Sequence, residues 1–296
     1  MSEIKNEKKI KHFIITYFNV KHLDVRDKKG ECTLTDKWLE GRFGLFEKYC
    51  LPSVVNQTEK NFIWLCLFDK DTPNTYKNRI EDYSKSFTQL KVLYLSDEEG
   101  KGLSSEDEKV RCGFLKDKMK SMIEPDDVHV ITTNLDNDDA LDSHFVQRIQ
   151  EESLCWNENV LIRFQYGLQY FESFNGILAM KYPHNHFLSL IERVEPEFHT
   201  IEYYNHARAH KIFKHVDIYE KPYWVEVVHS HNVNNELRIS SRIGYKFVFK
   251  SINLDVYGIR KSISWKKNII NIPRFVYLFI CVSVLRIGGK IKRMKK

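Results

Sequence analysis

Four apolar runs rich in β-branched and aromatic residues, at 12–18, 61–68, 90–95 and 127–132, alternate with segments of helical spacing. This order constrains the fold more than any other feature. Continuous apolar runs, with no polar residue at every second position, are what strands buried on both faces require. Between the first two, Leu39, Phe43, Phe46 and Tyr49 recur with a helical period, and Pro52 is expected to end or kink that helix. Further helices are expected at 75–87 and 106–122, with short strands at 160–165 and 176–181. Strand and helix in alternation predict an α/β fold with a mostly parallel central sheet covered on both faces. Ligands of such sheets bind beyond the carboxyl ends of the strands.

The 296 residues, 42% hydrophobic, suffice for one large α/β domain. The six cysteines form no Cys-x-x-Cys pair, and Cys50, Cys66 and Cys155 sit in apolar runs that read as core, so a reduced, cytoplasmic setting is expected. Lys5, Lys8, Lys9 and Lys11 are followed by no apolar stretch and cleavage site of the kind a signal peptide needs. Charge is uneven. Eleven cations and no acid lie between Arg260 and Lys296, leaving 35 cations against 40 acids in the rest. A basic end on a mildly acidic body predicts a catalytic domain over 1–258 and a basic helical tail over 259–296, with an anionic partner for the tail alone. Phe275 to Leu285 is an apolar run of eleven residues, shorter than the ~20 needed to span a bilayer. It is expected either to lie in the plane of the inner membrane face or to dock on the core. No nucleic-acid partner is expected.

The run from Val128 to Thr133 leads into Asn134-Leu135-Asp136-Asn137-Asp138-Asp139, which sets three carboxylates within four residues at the end of a strand. Crowded carboxylates raise one another's pKa, and a divalent cation removes that cost. Mg²⁺ or Mn²⁺, shared between carboxylates and a substrate phosphate, fits this placement. The competing reading makes Asp138 or Asp139 the cap of a helix running through Leu141, Phe145 and Ile149. A calcium-loop reading fails, since Gly is absent at its sixth position and Gln147 stands at its twelfth. Neither Gly-x-x-x-x-Gly-Lys-Ser/Thr nor Gly-x-Gly-x-x-Gly occurs. His206 and His210 have helical zinc spacing, but no Cys or acid completes the set.

Trp38-Leu-Glu-Gly-Arg42-Phe43, Pro52-Ser53-Val-Val-Asn-Gln57-Thr58, Asn61-Phe62-Ile-Trp64, Leu135-Asp-Asn-Asp-Asp139 and Trp224 to Asn235 occur in that order. Together they resemble a family of rhamnosyltransferases that is similar to the GT-A glycosyltransferases, over roughly 12–236. The resemblance implies a GT-A-like nucleotide-binding sandwich that uses a nucleotide-diphosphate sugar donor. It also implies that Asp136 and Asp138 form the Asp-x-Asp metal motif, and that His229, with His231 in reserve, is a further metal ligand. One departure is Asn134, where the family pattern leads one to expect Arg. Arg42 is a candidate for the diphosphate, and Thr16, Tyr17 and Phe18 end the first strand where a nucleoside would sit. Asp136 is a donor-contact candidate as well. An inverting transfer needs a group to take the acceptor's proton, for which Asp139, Glu172 and Glu192 are candidates, Glu192 foremost. The expected activity is transfer of rhamnose or a related hexose to a glycan or glycolipid. A metal-dependent phosphoesterase or nucleotidyltransferase, and a non-catalytic glycan- or membrane-binding protein, are the competing classes.

Overall fold

The computed structural model describes residues 9–21, 32, 34–100, 104–194, 197–204, 208–229, 237, 240 and 242–294. Its first strand, β1 (Ile10–Tyr17), explains why the sequence reads as an unbroken apolar run. Phe13 and Ile15 point into one layer, with Leu65, Leu67 and Val130 from neighbouring strands. Ile14 points into the opposite layer, with Trp64, Cys66 and Ile131. Alternate residues thus bury against different helices, the period-two rule applied to a sheet covered on both sides.

The strands β2 (Ile63–Asp69), β3 (Leu90–Leu95) and β4 (His129–Asn134) run parallel with β1. One face is covered by α1 (Asp36–Leu45), by the short α2 (Leu51–Val55), by α3 (Asn74–Ser86) and, past the brief α4 (Asp97–Gly100), the other by α5 (Ser105–Lys120). A single π-turn, Phe46–Cys50, joins α1 to α2, so Pro52 does not end the helical path. It sits in the first turn of α2, where its missing N–H costs little.

After β4 come the two-residue strand β5 (Ala140–Leu141), α6 (Phe145–Ser153), β6 (Val160–Phe164), β7 (Tyr166–Phe171), β8 (Gly176–Lys181), β9 (Leu188–Arg193), β10 (Lys214–Ile218) and β11 (Trp224–Val228). They are followed by β12 (Gly244–Phe247), β13 (Ile252–Asn253), β14 (Ser262–Ile263) and the long α7 (Trp265–Met294). The large sheet has the order β10-β6-β9-β4-β1-β2-β3 and is parallel except where β9 pairs with β4 and β6. A second sheet has the order β12-β8-β7-β11-β5. This is the α/β class expected, with a mostly parallel central sheet. Cys50 and Cys66 are buried as expected, whereas Cys155 is exposed, because it lies just past the end of α6.

The tail helix is longer and more extensively apolar than the eleven-residue run suggested. The helix is 30 residues long, and Trp265–Val284 within it is apolar enough, at mean hydropathy 1.3, to cross a bilayer by length and composition. One face of that helix is nonetheless tied to the domain. Phe275 is fully buried against Phe171, Phe174 and Phe247, Asn268 Nδ2 donates to the Lys250 carbonyl (2.9 Å), and Asn271 Nδ2 donates to the Asn175 carbonyl (3.2 Å). Burying one Phe contributes roughly 1.5–3 kcal/mol. Together with the β13–β14 pairing, these contacts join residues 259–282 to the body across the boundary expected at 258.

Candidate functional site

The acidic segment bridges the two sheets. It leaves the large sheet at Asn134, where Leu135 N–H donates to the Ile15 carbonyl, and enters the small one at Ala140, opposite Val225 of β11. Because β5 intervenes, neither Asp138 nor Asp139 caps α6; Asp142 Oδ1 accepts from His144 N–H there instead. The helix-cap reading of the carboxylates is therefore excluded. Asn137 pins the turn from beneath, its Nδ2 donating to the carbonyls of Tyr17 (3.0 Å) and Phe18 (3.2 Å) at the end of β1.

Asp138 is buried, and its Oδ2 accepts from Arg42 Nη1 at 2.6 Å while lying 2.8 Å from His229 Nε2. Arg42 also donates to Asn137 Oδ1 (3.1 Å) and lies over the Trp38 ring. Burial by itself raises the Asp138 carboxyl, but the Arg42 charge and the His229 hydrogen bond outweigh it and hold the group well below the usual carboxylate range. Arg42 comes from α1, and His229 directly follows β11. Three residues far apart in the chain therefore meet at one oxygen.

Asp139 is fully buried and uses both oxygens. Oδ1 accepts from Val227 N–H at 2.8 Å and Oδ2 lies 2.8 Å from His186 Nε2. Burial drives this carboxyl up, against the His186 hydrogen bond and with the repulsion of Asp138 and Asp136. His186 also stands 3.7 Å from Asp136 Oδ2. Burial lowers its imidazole, but the Asp136 charge and the Asp139 bond prevail and raise it. Asp136 is the most open of the three carboxylates, with half of its side chain exposed. Near it, burial pushes Glu202 up to about 8, helped by the Asp136 charge and opposed by Arg111. Oδ2 of Asp136, Oδ2 of Asp139 and Nε2 of His186 are ligand atoms that lie within 4.8 Å of one another.

Several expected site residues lie elsewhere. Thr16 is buried and its hydroxyl accepts from Trp64 Nε1 (3.0 Å), and Phe18 is packed among Phe43, Phe46 and Phe68, so neither side chain meets a nucleoside. Both are core because the strand end tucks under α1. Tyr17 faces the Glu202 and Arg111 side of the site. Glu192 pairs in register with Val130, on the early part of β4 and away from the acidic turn, and accepts from the N–H groups of His199 (3.1 Å) and Thr200 (2.9 Å). It secures a loop and is no candidate base. Asp139 is fully enclosed, with His186 bonded to its Oδ2. His231 and His206 fall outside the described residues. Gln57 and Thr58 of the Pro-Ser-x-x-x-Gln-Thr motif are structural: Gln57 Nε2 donates to the Asp142 carbonyl (2.8 Å), Gln57 Oε1 accepts from Val146 N–H, and Thr58 Oγ1 donates to the Ser143 carbonyl. The motif thereby anchors the segment that follows the carboxylates. His186 carries no signal in the sequence, since it shares no spacing with the acidic run, and Glu202 reads there as an ordinary surface acid.

Residues 14–241 match the family described as "Putative rhamnosyl transferase", and the chain belongs to that family. No curated protein matches it. Among solved structures, it is similar to S. aureus TarS residues 1–349 in complex with UDP, at 13% identity and a TM-score of 0.41, over 74% of this chain and 60% of that one. It is also similar to Rv0371c from Mycobacterium tuberculosis, at 8% identity and a TM-score of 0.33, over 73% of this chain and 90% of the other. The chain thus spans 60% of the TarS fragment's length.

Proposed function

We propose that this glycosyltransferase moves rhamnose or a related hexose from a nucleotide-diphosphate sugar to a hydroxyl of a surface glycan or glycolipid, with a divalent metal at the acidic turn. The observation that carries this reading is the meeting of Asp138 and His229, 91 positions apart, with Nε2 2.8 Å from Oδ2 at the carboxyl end of β4. Carboxylate oxygen beside imidazole nitrogen suits Mn²⁺ and tolerates Mg²⁺. Asp138 and His229 would hold the ion, with Asp136 on the open, donor side. When bound, the ion supplies positive charge to the diphosphate leaving group. Arg42 holds Asp138 ionised in the meantime, and on donor binding it is within reach of the turn to share its charge with a phosphate oxygen. The second convergence, Asp136 with Asp139 and His186, is the competing ligand set.

Thermal stabilisation tests the reading directly. Nucleotide-diphosphate sugars with Mn²⁺ are expected to raise Tm, and the rise should vanish with chelator, because only the folded state binds. His229→Ala should weaken that rise more than His186→Ala does. The reverse order would move the metal to the competing set. Release of phosphate or transfer of nucleotide without a glycoside product would point to a phosphoesterase or nucleotidyltransferase instead.

Attachment to the inner membrane face by α7 is part of the same proposal. Opposite its docked stripe, the helix exposes Ile269, Ile270, Val276, Tyr277, Ile280 and Val284. An apolar stripe on a helix within a stretch of eleven cations and no acid, Arg260 to Lys296, fits an anionic bilayer surface. Tyr277→Asp, on the exposed stripe, should release the full chain from anionic vesicles with no loss of folding. Binding should also weaken as salt rises, because charges are screened beyond about 8–10 Å at physiological ionic strength. Indifference to both changes would leave α7 as a core helix only.

A further inference from the structure

A groove of about 750 Å³ opens between α2 and the segment 258–262, lined by Pro52, Asn56, Asp255, Arg260, Lys261 and Ser262. It continues into a smaller recess of about 370 Å³ that reaches Lys48 and Tyr49. Its waist depends on Gly258. At φ +69° a side chain is strained, and a Cβ there would stand 2.4 Å from the carbonyl carbon of Pro52, so only glycine lets the two backbones approach this closely.

The lining is cationic in effect. Lys261 Nζ donates to the Tyr170 hydroxyl (2.7 Å), a neutral partner that leaves its charge unspent. Arg260 is exposed and makes no ion pair among the described residues. Of the acids at hand, Glu47 is already held by Arg79 Nε (2.6 Å) and the Tyr83 hydroxyl, whereas Asp255, bonded to the neutral Asn253 amide, keeps its charge and leaves the two cations in excess by one. Lys48 and the Tyr49 hydroxyl both donate to Glu172 at the inner end of the recess, and Glu172 is close enough to His229 for the imidazole to help lower its pKa, after burial, which raises it, and the bonds from Lys48 and Tyr49. From Ser262 of the lining the chain runs into α7, which begins three residues further on and exposes Trp265, Ile269 and Ile270 in its first turns.

We propose that this groove binds the phosphate of a lipid head group, as the anionic anchor of a lipid-borne acceptor. A guanidinium and an ammonium converging on one cavity suit phosphate oxygens, and the exposed apolar face of α7 beside it places those oxygens at a bilayer surface. The term acceptor rests on the transfer reading above, whereas the phosphate site does not.

The test uses the full chain and vesicles of phosphatidylcholine with and without phosphatidic acid. Arg260→Gln combined with Lys261→Gln should lower affinity for the acidic vesicles about tenfold or more, since each cation at a lipid surface matters at this scale. Lys292→Gln combined with Lys295→Gln removes the same charge from the distal tail and should lower it less. Equal losses from the two pairs would mean diffuse attraction and would overturn the groove. Binding of soluble glycerol 3-phosphate as tightly as vesicle lipid would assign the groove to a free phosphorylated metabolite and overturn the lipid source. Melting curves of each variant establish that the chain is folded. Nucleotide-sugar hydrolysis by the unaltered protein is measured separately, so its absence would remove the transfer reading and leave the vesicle comparison standing.

Discussion

Asp138→Asn is expected to lower metal-dependent sugar transfer by at least about a hundredfold, because an amide cannot balance a divalent charge or the charge that develops on the diphosphate. The same change leaves the Arg42 guanidinium, bonded to Asp138 at 2.6 Å and almost fully buried, without its counter-charge. Removing one partner of a buried pair costs about 3–5 kcal/mol. Activity must therefore be compared at equal folded protein. Replacing both partners, Arg42→Met with Asp138→Leu, separates the two effects. Apolar side chains in place of a buried pair are often neutral in stability, so the double variant should melt higher than Asp138→Asn while remaining inactive. Turnover like that of the parent in folded Asp138→Asn would sink the assignment of Asp138 as metal ligand, and loss confined to Asp139→Asn and His186→Ala would relocate the ion.

Acid should destabilise the protein through His12. This imidazole is fully buried on β1, with Nε2 2.9 Å from Thr133 Oγ1, and burial lowers it from 6.5 to about 3. Between those two values the unfolded chain takes up a proton that the native one refuses. Stability is therefore lost as pH falls below 6.5, with a slope of one proton, about 1.4 kcal/mol per pH unit. About 3 kcal/mol should be gone near pH 4.5. His12→Gln keeps a partner for Thr133 and removes the proton, so the difference between its denaturation free energy and that of the parent should shrink or reverse on acidification. Parallel curves for the two proteins would show that His12 does not titrate as its burial demands. Asp139 and Glu202 act in the opposite sense, since their raised carboxyls favour the native state as pH falls, and the difference measurement cancels them.

The alternation of apolar runs with helical spacing determined the class of fold, because strands such as 12–18 and 61–68 have no polar face to give to water and must lie within a covered sheet. The sequence also placed the carboxylates correctly at a strand end, since the β-branched run that ends at Thr133 gives way there to an acidic one. Proximity along the chain carried that information, and it sufficed for Asp136 to Asp139. It misled at Thr16 and Phe18, where strand-end position says nothing about which way a side chain turns, and at Glu192, where an acid after aromatic segments proved to be a loop anchor on the early half of β4. What only the tertiary structure decided is how the three carboxylates divide their work. Asp138 meets Arg42 and His229, Asp139 meets His186 and the Val227 amide, and Asp136 stays open. Those partners come from α1, β11 and the turn before β9, so no local spacing encodes them. The charge of Asp138 and of Asp139 is set by burial and by neighbours that arrive only when the two sheets close on either side of the turn.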